Sequence, residues 1–252
     1  MTADSPFKDH FSGHADVYRD ARPTYPPELF GWLARQAPDV ALAWDCGCGN
    51  GQATQALAGH FRHVTGTDPS AQQVAQAIPE HSVDYRVEPA ERSSFDAASV
   101  SLITVAQALH WFDHARFYAE AKRVLKPAGV LAAWTYSDCM TADAAIDRIK
   151  DRLYVELTGP YWPSERVHVD SGYQRLPFPF VEIEPPHFHM AMRWNVDQLL
   201  AYFRSWSATQ RYIKANGEDP VALVEPELRR AWGDAQQVRE VRWQFHLRVG
   251  KV

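Results

Sequence analysis

Ala43-Trp-Asp-Cys-Gly-Cys-Gly-Asn-Gly-Gln52 is the stretch on which the fold turns. An apolar run enters it from Val40, glycines follow at positions 47, 49 and 51, and Gln52 opens a segment rich in Ala, Gln and Leu. Strand, glycine turn and helix in that order begin a βαβ unit. Residues without a Cβ let the backbone of such a turn come close to a ligand. The fingerprint of a dinucleotide site, G-x-G-x-x-G, requires glycine at the sixth position, where this chain has Gln52. Asp45, at the end of the strand, would repel a pyrophosphate and suits a cationic group instead.

Working outward, short apolar runs alternate with helical patterns, as they do in a parallel sheet covered on both faces. The strands expected are Val40 to Asp45, His63 to Thr67, Val83 to Val87, Val100 to Ala106 and Gly129 to Trp134. Phe117, Tyr118, Ala121, Val124 and Leu125 recur at helical spacing, and Lys126-Pro-Ala-Gly129 stops that helix. Ser70 and Gln73 read as a capping box ahead of Val74 and Ile78. Beyond Trp134 the alternation fails and aromatics and prolines accumulate. Glu182 to Met190 and Val238 to Val249 read as two more strands, and Asn195 with Gln198 caps a helix between them. The fold class expected is α/β: a Rossmann-like, seven-stranded, mainly parallel sheet with an antiparallel edge hairpin. Segments 142–157 and 196–232 then form an α-helical cap. The division expected is a core over residues 1–135, with residues 136–252 interleaving cap helices and the last two strands.

The acid, the glycines and the missing third glycine together favour a nucleoside ligand with an amine and no phosphate. S-adenosylmethionine has both properties. Asp68 ends the second strand 21 residues beyond Gly47, where a carboxylate accepts hydrogen bonds from two ribose hydroxyls. Gln107 and Ala108 follow the fourth strand at the carboxyl edge of the sheet, where open α/β folds bind ligands, and are assigned backbone contacts to the methionine portion.

Trp44-Asp-Cys-Gly-Cys-Gly-Asn-Gly51 resembles the first motif of class I methyltransferases. Gly66-Thr-Asp-Pro-Ser70 resembles their ribose-binding corner, Ala90-Glu91 their adenine-binding turn and Leu125-Lys-Pro-Ala-Gly129 the start of their fifth strand. Ala106-Gln-Ala-Leu-His-Trp-Phe-Asp113, Arg22-Pro-Thr-Tyr-Pro26 and Trp206-Ser-Ala-Thr-Gln-Arg-Tyr212 are similar to the subgroup that includes trans-aconitate methyltransferase. The resemblance implies S-adenosylmethionine as methyl donor and direct displacement without a covalent enzyme intermediate. It implies a cofactor site of Tyr18, Arg22, Asp45, Gly47, Cys48, Gly49, Gly51, Gln52, Asp68, Pro69, Ala90, Glu91, Gln107 and Ala108. Pro89 replaces an acid that many relatives place against the adenine, and Ala128 replaces a turn glycine.

His110 has two roles open to it, a base for a hydroxyl or amine nucleophile or a hydrogen-bonded structural residue. No third ligand accompanies His110 and His114, so no metal is expected. Arg166 and Arg211 are candidates for binding a substrate carboxylate, and Arg22 is another for an acidic substrate. Tyr161, Trp162, Tyr173 and Trp206 are candidates for an aromatic pocket. A small-molecule acceptor is expected, with a carboxylic acid favoured. The alternatives are a nicotinamide-dependent oxidoreductase, which Gln52 and Asp45 disfavour, and a protein that binds S-adenosylmethionine without turnover.

In 252 residues, 46% hydrophobic and 23% charged, there is material for a real core, and no apolar run is long enough to span a membrane. A net charge of −5 argues against nucleic acid and anionic membranes as partners and leaves oligomeric state open. The N-terminus lacks the apolar segment of a secretory signal, so the cytoplasm is the expected location. The three cysteines are expected as reduced thiols.

Overall fold

A computed structural model describes residues 21–252. Tyr18 lies outside the described residues. After α1 (Pro27–Gln36) the βα alternation begins with β1 (Leu42–Cys46), α2 (Gln52–Ala58), β2 (His63–Asp68), α3 (Ala71–Ala75) and β3 (Val83–Val87). β4 (Val100–Ala106), α4 (His114–Val124) and β5 (Leu125–Thr141) follow. Neighbouring strands in the order β3-β2-β1-β4-β5 are parallel, with Ala43 opposite Val64 on one side and Leu102 on the other. Their unbroken apolar runs follow from burial on both faces.

One face packs Trp44, Ile103 and Leu131 against Phe117, Ala121 and Val124 of α4. The other packs Ala43, Leu102 and Trp134 against Leu29, Phe30 and Leu33 of α1 and Leu57 of α2. β1 is thereby clamped, and its carboxyl end with the glycine turn is held at the top of the sheet.

The last strand, β8 (Arg239–Lys251), is antiparallel to β5. It carries both β6 (Val181–Ile183) and β7 (Met190–Trp194) on its far edge. The continuous strand expected over Glu182 to Met190 is therefore two short ones. Pro185 and Pro186 fall in the gap, where a residue without an N–H cannot extend the ladder. The expected edge hairpin is an antiparallel edge without a hairpin turn, because the cap helices lie between β7 and β8 in the chain. β5 runs past its expected end at Trp134, and a register irregularity between Tyr136 and Cys139 marks a bulge.

The cap comprises α5 (Ala144–Asp151), a π-helical turn (Arg152–Leu157), a 3-10 turn (Gly159–Tyr161), α6 (Arg166–Asp170), α7 (Val196–Arg204), α8 (Ser207–Asn216) and α9 (Pro220–Trp232). Its core joins Ile146, Leu153, Leu199, Phe203, Val224 and Leu228 to Tyr136, Trp194 and Trp243 on the sheet. Both halves of the Asn195–Gln198 capping box form at the start of α7. At α3 the Ser70 side chain accepts from the Gln73 amide, but the helix ends at Ala75, short of Ile78. Among the described residues no helix is long and apolar enough to cross a membrane.

Candidate active site

Gly47, Gly49 and Gly51 have φ of +71°, +55° and +91°, the left-handed region that favours glycine. A Cβ on Gly47 would stand 2.6 Å from that of Ala108, so the turn after β1 touches the one after β4. The Gly47 and Cys48 amides donate to the Thr67 carbonyl at 2.8 and 3.0 Å. Asp68 is aimed by two backbone amides, Gly49 donating to Oδ2 and Ser70 to Oδ1, both at 2.9 Å. Asp68 is half-buried, and a carboxylate can accept more than two hydrogen bonds.

Asp45 is placed differently. It has no exposed surface, and its oxygens accept from the hydroxyls of Thr54 at 2.6 Å and Thr104 at 2.8 Å. Burial pushes its carboxyl up to about 6 against the pull of those hydrogen bonds. Asp45 thus ties α2 and β4 to the glycine turn and offers a ligand negative potential rather than direct contact. Gln52, which takes the place of a dinucleotide glycine, donates from Nε2 to the Pro23 carbonyl at 3.0 Å and pins the preceding segment over the turn. Glu91 accepts from the Asp113 amide at 2.8 Å. Ala90 and Cys48 are buried, and Pro69 is half-buried beside Asp68. All three cysteines are free and buried, and burial raises the thiol pKa of each.

Beside this turn a pocket opens at the carboxyl ends of β4 and β5. Its walls bring together six of the sequence candidates, Arg22, Gln107, His110, Trp162, Arg166 and Trp206. They also include Trp111, Tyr136, Asp138, Tyr154 and Tyr202, which sequence reasoning missed. Tyr202 lies three residues after Leu199 in α7, a spacing that marks one helical face. Asp138 gave no such signal, since the bulge in β5 is what brings it to the pocket. Tyr161 and Arg211 are not part of the lining. Arg211 donates to the Tyr161 carbonyl at 3.5 Å, and the Tyr161 ring packs on Tyr212. The chain turns from 3-10 to extended between Tyr161 and Trp162, so only the second faces the pocket.

The two pocket arginines differ in what already holds them. Arg22 donates to the Ser205 carbonyl at 2.9 Å and the Tyr136 hydroxyl at 3.4 Å, bracing β5 against the end of α7. Arg166 donates through Nε to Asp170 at 2.9 Å. Its guanidinium carbon lies 4.5 Å from the Trp162 ring centroid and 5.5 Å from that of Tyr154. Asp170 is the one carboxylate ion-paired with Arg166 among the described residues. The guanidinium is held rigid by its Nε and its aromatic neighbours, and among the described residues no second carboxylate is ion-paired with it. Asp138 accepts from the Cys139 amide and pairs with buried Lys150. Burial raises its carboxyl above the usual range despite that partner.

His110 Nδ1 lies 2.9 Å from the hydroxyl of Tyr173, a fully buried residue behind the pocket wall. Burial, and secondarily the charges of Arg166, His168 and His114, push His110 down to about 3, so it is neutral at physiological pH. Gln107 has φ +55°, a strained conformation for a residue with a side chain. Its amide side chain bridges β4 to β5, donating to the Tyr136 carbonyl at 3.1 Å and accepting from Thr135.

The glycine cradle, the aimed Asp68 and the buried negative charge fit S-adenosylmethionine. The glycines let a nucleoside approach the turn, and Asp68 matches a ribose. A family model described as a methyltransferase domain matches residues 44–133. A methyltransferase of Dictyostelium discoideum is 33% identical over 229 residues, 90% of this chain and 87% of its own. An uncharacterized methyltransferase of Mycobacterium bovis is 35% identical over 132 residues, 51% of this chain and 53% of its own. The solved structure of a type II methyltransferase from Anaeromyxobacter dehalogenans superposes with a TM-score of 0.85 at 45% identity, covering 91% of this chain and 97% of that one. With its fold, its glycine turn and these relatives in agreement, the chain belongs to the class I S-adenosylmethionine-dependent methyltransferases.

Proposed function

We propose that the chain transfers a methyl group to a small carboxylic acid seated in the aromatic pocket. The supporting observation is Arg166, a rigidly held guanidinium in the pocket wall that among the described residues is ion-paired with Asp170 alone. A planar fork of N–H donors matches a carboxylate in two parallel hydrogen bonds. Arg22 shares the pocket but is committed to Ser205 and Tyr136, so it supplies positive potential and shape. When bound, S-adenosylmethionine supplies an electrophilic methyl group. Asp68 and the glycine turn bind and orient it, and Gln107 and Ala108 line the route to its methionine portion. Residues 1–135 would then hold the cofactor, and the cap would close the acceptor in.

A carboxylate oxygen is already ionised at neutral pH and needs no base. His110, held at about 3, is too weakly basic to take a proton from an alcohol, which supports the same choice of acceptor. Trp111, Trp162, Tyr154, Tyr202 and Trp206 exclude water from the reacting group. The subgroup resemblance to trans-aconitate methyltransferase, an enzyme of a small acid, points the same way.

The test is a labelled-methyl screen across small carboxylic acids, phenols and amines, repeated with Arg166→Ala. Loss of a charged hydrogen-bonding pair costs about 1.5 to 3 kcal/mol, so the KM for the acid should rise roughly ten- to a hundredfold. S-adenosylhomocysteine affinity should stay within about twofold. Turnover confined to phenols or amines, or an unaltered KM in Arg166→Ala, would overturn the proposal.

A further inference from the structure

Among the described residues Asp138 is the one carboxylate in the pocket lining. The bulge in β5 brings it there, and the Cys139 amide fixes it by donating to Oδ1 at 2.7 Å. Its other oxygen, Oδ2, accepts from Lys150, which reaches it from α5. That helix is tied to the end of β5 by Asp147, which accepts from the Thr141 amide at 2.8 Å and from its hydroxyl at 2.9 Å. Lys150 is nearly closed to solvent, with 6% of its side chain exposed against 23% for Asp138. A ligand in the pocket can therefore meet the acid of this pair and not the base.

Taking an ion pair out of water is costly, and well-packed apolar side chains of similar volume commonly stabilise a fold as well or better. Cys139, Ile146 and Ile149 belong to the apolar core of the cap, so an apolar pair in place of Asp138 and Lys150 would find company there. A charge kept at the pocket wall instead points to a ligand. Arg166 brings the opposite charge to the same wall, yet the two do not neutralise each other. Among the described residues Asp138 is ion-paired with Lys150 alone and Arg166 with Asp170 alone. The pocket thus presents an anion and a cation, each held by its own partner.

We propose that Asp138 is a specificity-determining residue, which accepts a hydrogen bond from a hydroxyl or ammonium group on the acid held by Arg166 and rejects acids with a second carboxylate at that place. For the carboxylate on Arg166 this rests on the proposed function. Burial raises the Asp138 carboxyl, and Lys150 opposes that rise. An ionised carboxylate only accepts, so it recognises donors. A site built to bond a polar group discriminates strongly against the analogue that lacks it, and a like charge set against it excludes a further competitor.

The test is isothermal calorimetry at neutral pH on the full chain saturated with S-adenosylhomocysteine, with phenylpropanoate, phenyllactate, phenylalanine, benzylmalonate and phenethylamine as probes. The first four share a skeleton and differ on the carbon beside the carboxylate, which carries hydrogen, hydroxyl, ammonium or a second carboxylate. The last is phenylalanine without its carboxylate. Phenyllactate and phenylalanine should bind about tenfold or more tighter than phenylpropanoate, the worth of a hydrogen bond to a charged group, and benzylmalonate should be the weakest of the four. Asp138→Asn keeps an accepting oxygen but loses the charge, so the advantage of phenylalanine should shrink about tenfold and benzylmalonate should gain. Lys150 keeps a partner in that variant, Asp151 at 2.7 Å. If the variant fails to fold, Asp138→Asn combined with Lys150→Met removes both charges and takes the same measurements. A merely structural pair would lower all affinities together, so a ranking unchanged in the folded variants would overturn the proposal. Equal binding of phenylpropanoate, phenyllactate and phenylalanine to the wild type would do the same, as would binding of none of the probes. Phenethylamine bound through Asp138 beside a failure of phenylpropanoate to bind would keep the role of Asp138 and count against the proposed acid. Binding of the acids that depends on Arg166 but shows no ranking would count against Asp138 alone.

Discussion

Two aspartates at the ends of adjacent strands, Asp45 and Asp68, show how one residue type takes two roles. Asp68 is half-buried and held by two backbone amides, and Asp68→Ala should weaken S-adenosylhomocysteine binding about tenfold or more in calorimetry, the loss of charge-assisted hydrogen bonds. Unaltered affinity would assign the ribose to another residue. Asp45 is enclosed, and its carboxyl rises from 3.8 to about 6 in the folded chain through burial. A carboxyl raised on folding stabilises the native state fully below about pH 4, and that contribution is lost as pH climbs through about 6. The gap corresponds to about 3 kcal/mol as an order of magnitude. Denaturant unfolding of Asp45→Asn from pH 4 to 7 should therefore show the variant gaining on the wild type as pH rises, by up to that amount. His110, lowered on folding to about 3, has the opposite slope below its ordinary value of 6.5. It is common to both proteins, so the difference isolates Asp45. A constant difference across the range would refute the burial argument. Both acids were legible in the sequence as site residues, but which one faces the ligand was not. That depends on Thr54 and Thr104, and Thr104 lies 59 residues away.

Elements fixed by local chemistry follow their sequence signals closely, and those fixed by distant partners do not. The glycine turn and the Asn195–Gln198 box are decided within a few residues, and both form as their signals require. Asn195→Ala should cost about 1 kcal/mol in denaturant unfolding, the usual worth of an N-cap, by freeing the first amides of α7. Gly47→Ala should cost more, about 1 to 3 kcal/mol, since it combines a left-handed backbone with a Cβ pressed on Ala108. A smaller loss for Gly47→Ala than for Asn195→Ala would mean that the turn after β4 can yield. The split of β6 from β7 was also written locally, in Pro185-Pro186, but the alternating hydrophobicity around it read as one strand. The bulge in β5 is different in kind. It arises where β5 accommodates β8, more than a hundred residues later, and it carries Asp138 to the pocket. No local pattern encodes such a register shift. The same holds for the arginines, which look alike in sequence. Arg22 is sorted by Ser205 at a separation of 183 residues, and Arg211 by Tyr161 at 50.

At the scale of the whole molecule the cofactor is the largest available stabiliser, because a ligand that binds only the folded state shifts unfolding by mass action. The turn after β1, the corner at Asp68 and the turn after β4 come from three βα units that meet only in the native sheet, so the unfolded chain has no such site. S-adenosylhomocysteine at a hundredfold its Kd should add about 2.7 kcal/mol. For a chain of this length that corresponds to a rise in Tm of about 5 to 11 °C, since each kcal/mol moves the midpoint by about 2 to 4 °C. NAD should produce no shift. Gln52 occupies the place of the third dinucleotide glycine with a side chain bound to Pro23, and the buried charge of Asp45 opposes a pyrophosphate at the turn. A scanning calorimetry series with S-adenosylmethionine, S-adenosylhomocysteine and NAD at matched concentrations makes the comparison. Equal stabilisation by NAD would show that the Gln52 side chain can leave Pro23 and that Asp45 is screened. The specificity argued from the first strand and its turn would then fail. A shift with both sulfur ligands and none with NAD would tie cofactor choice to those two residues, which Gln52→Gly then tests alone. Removing the anchor on Pro23 should loosen the segment over the turn and lower the shift with S-adenosylhomocysteine. It should confer no NAD binding, because the charge of Asp45 remains beneath the turn.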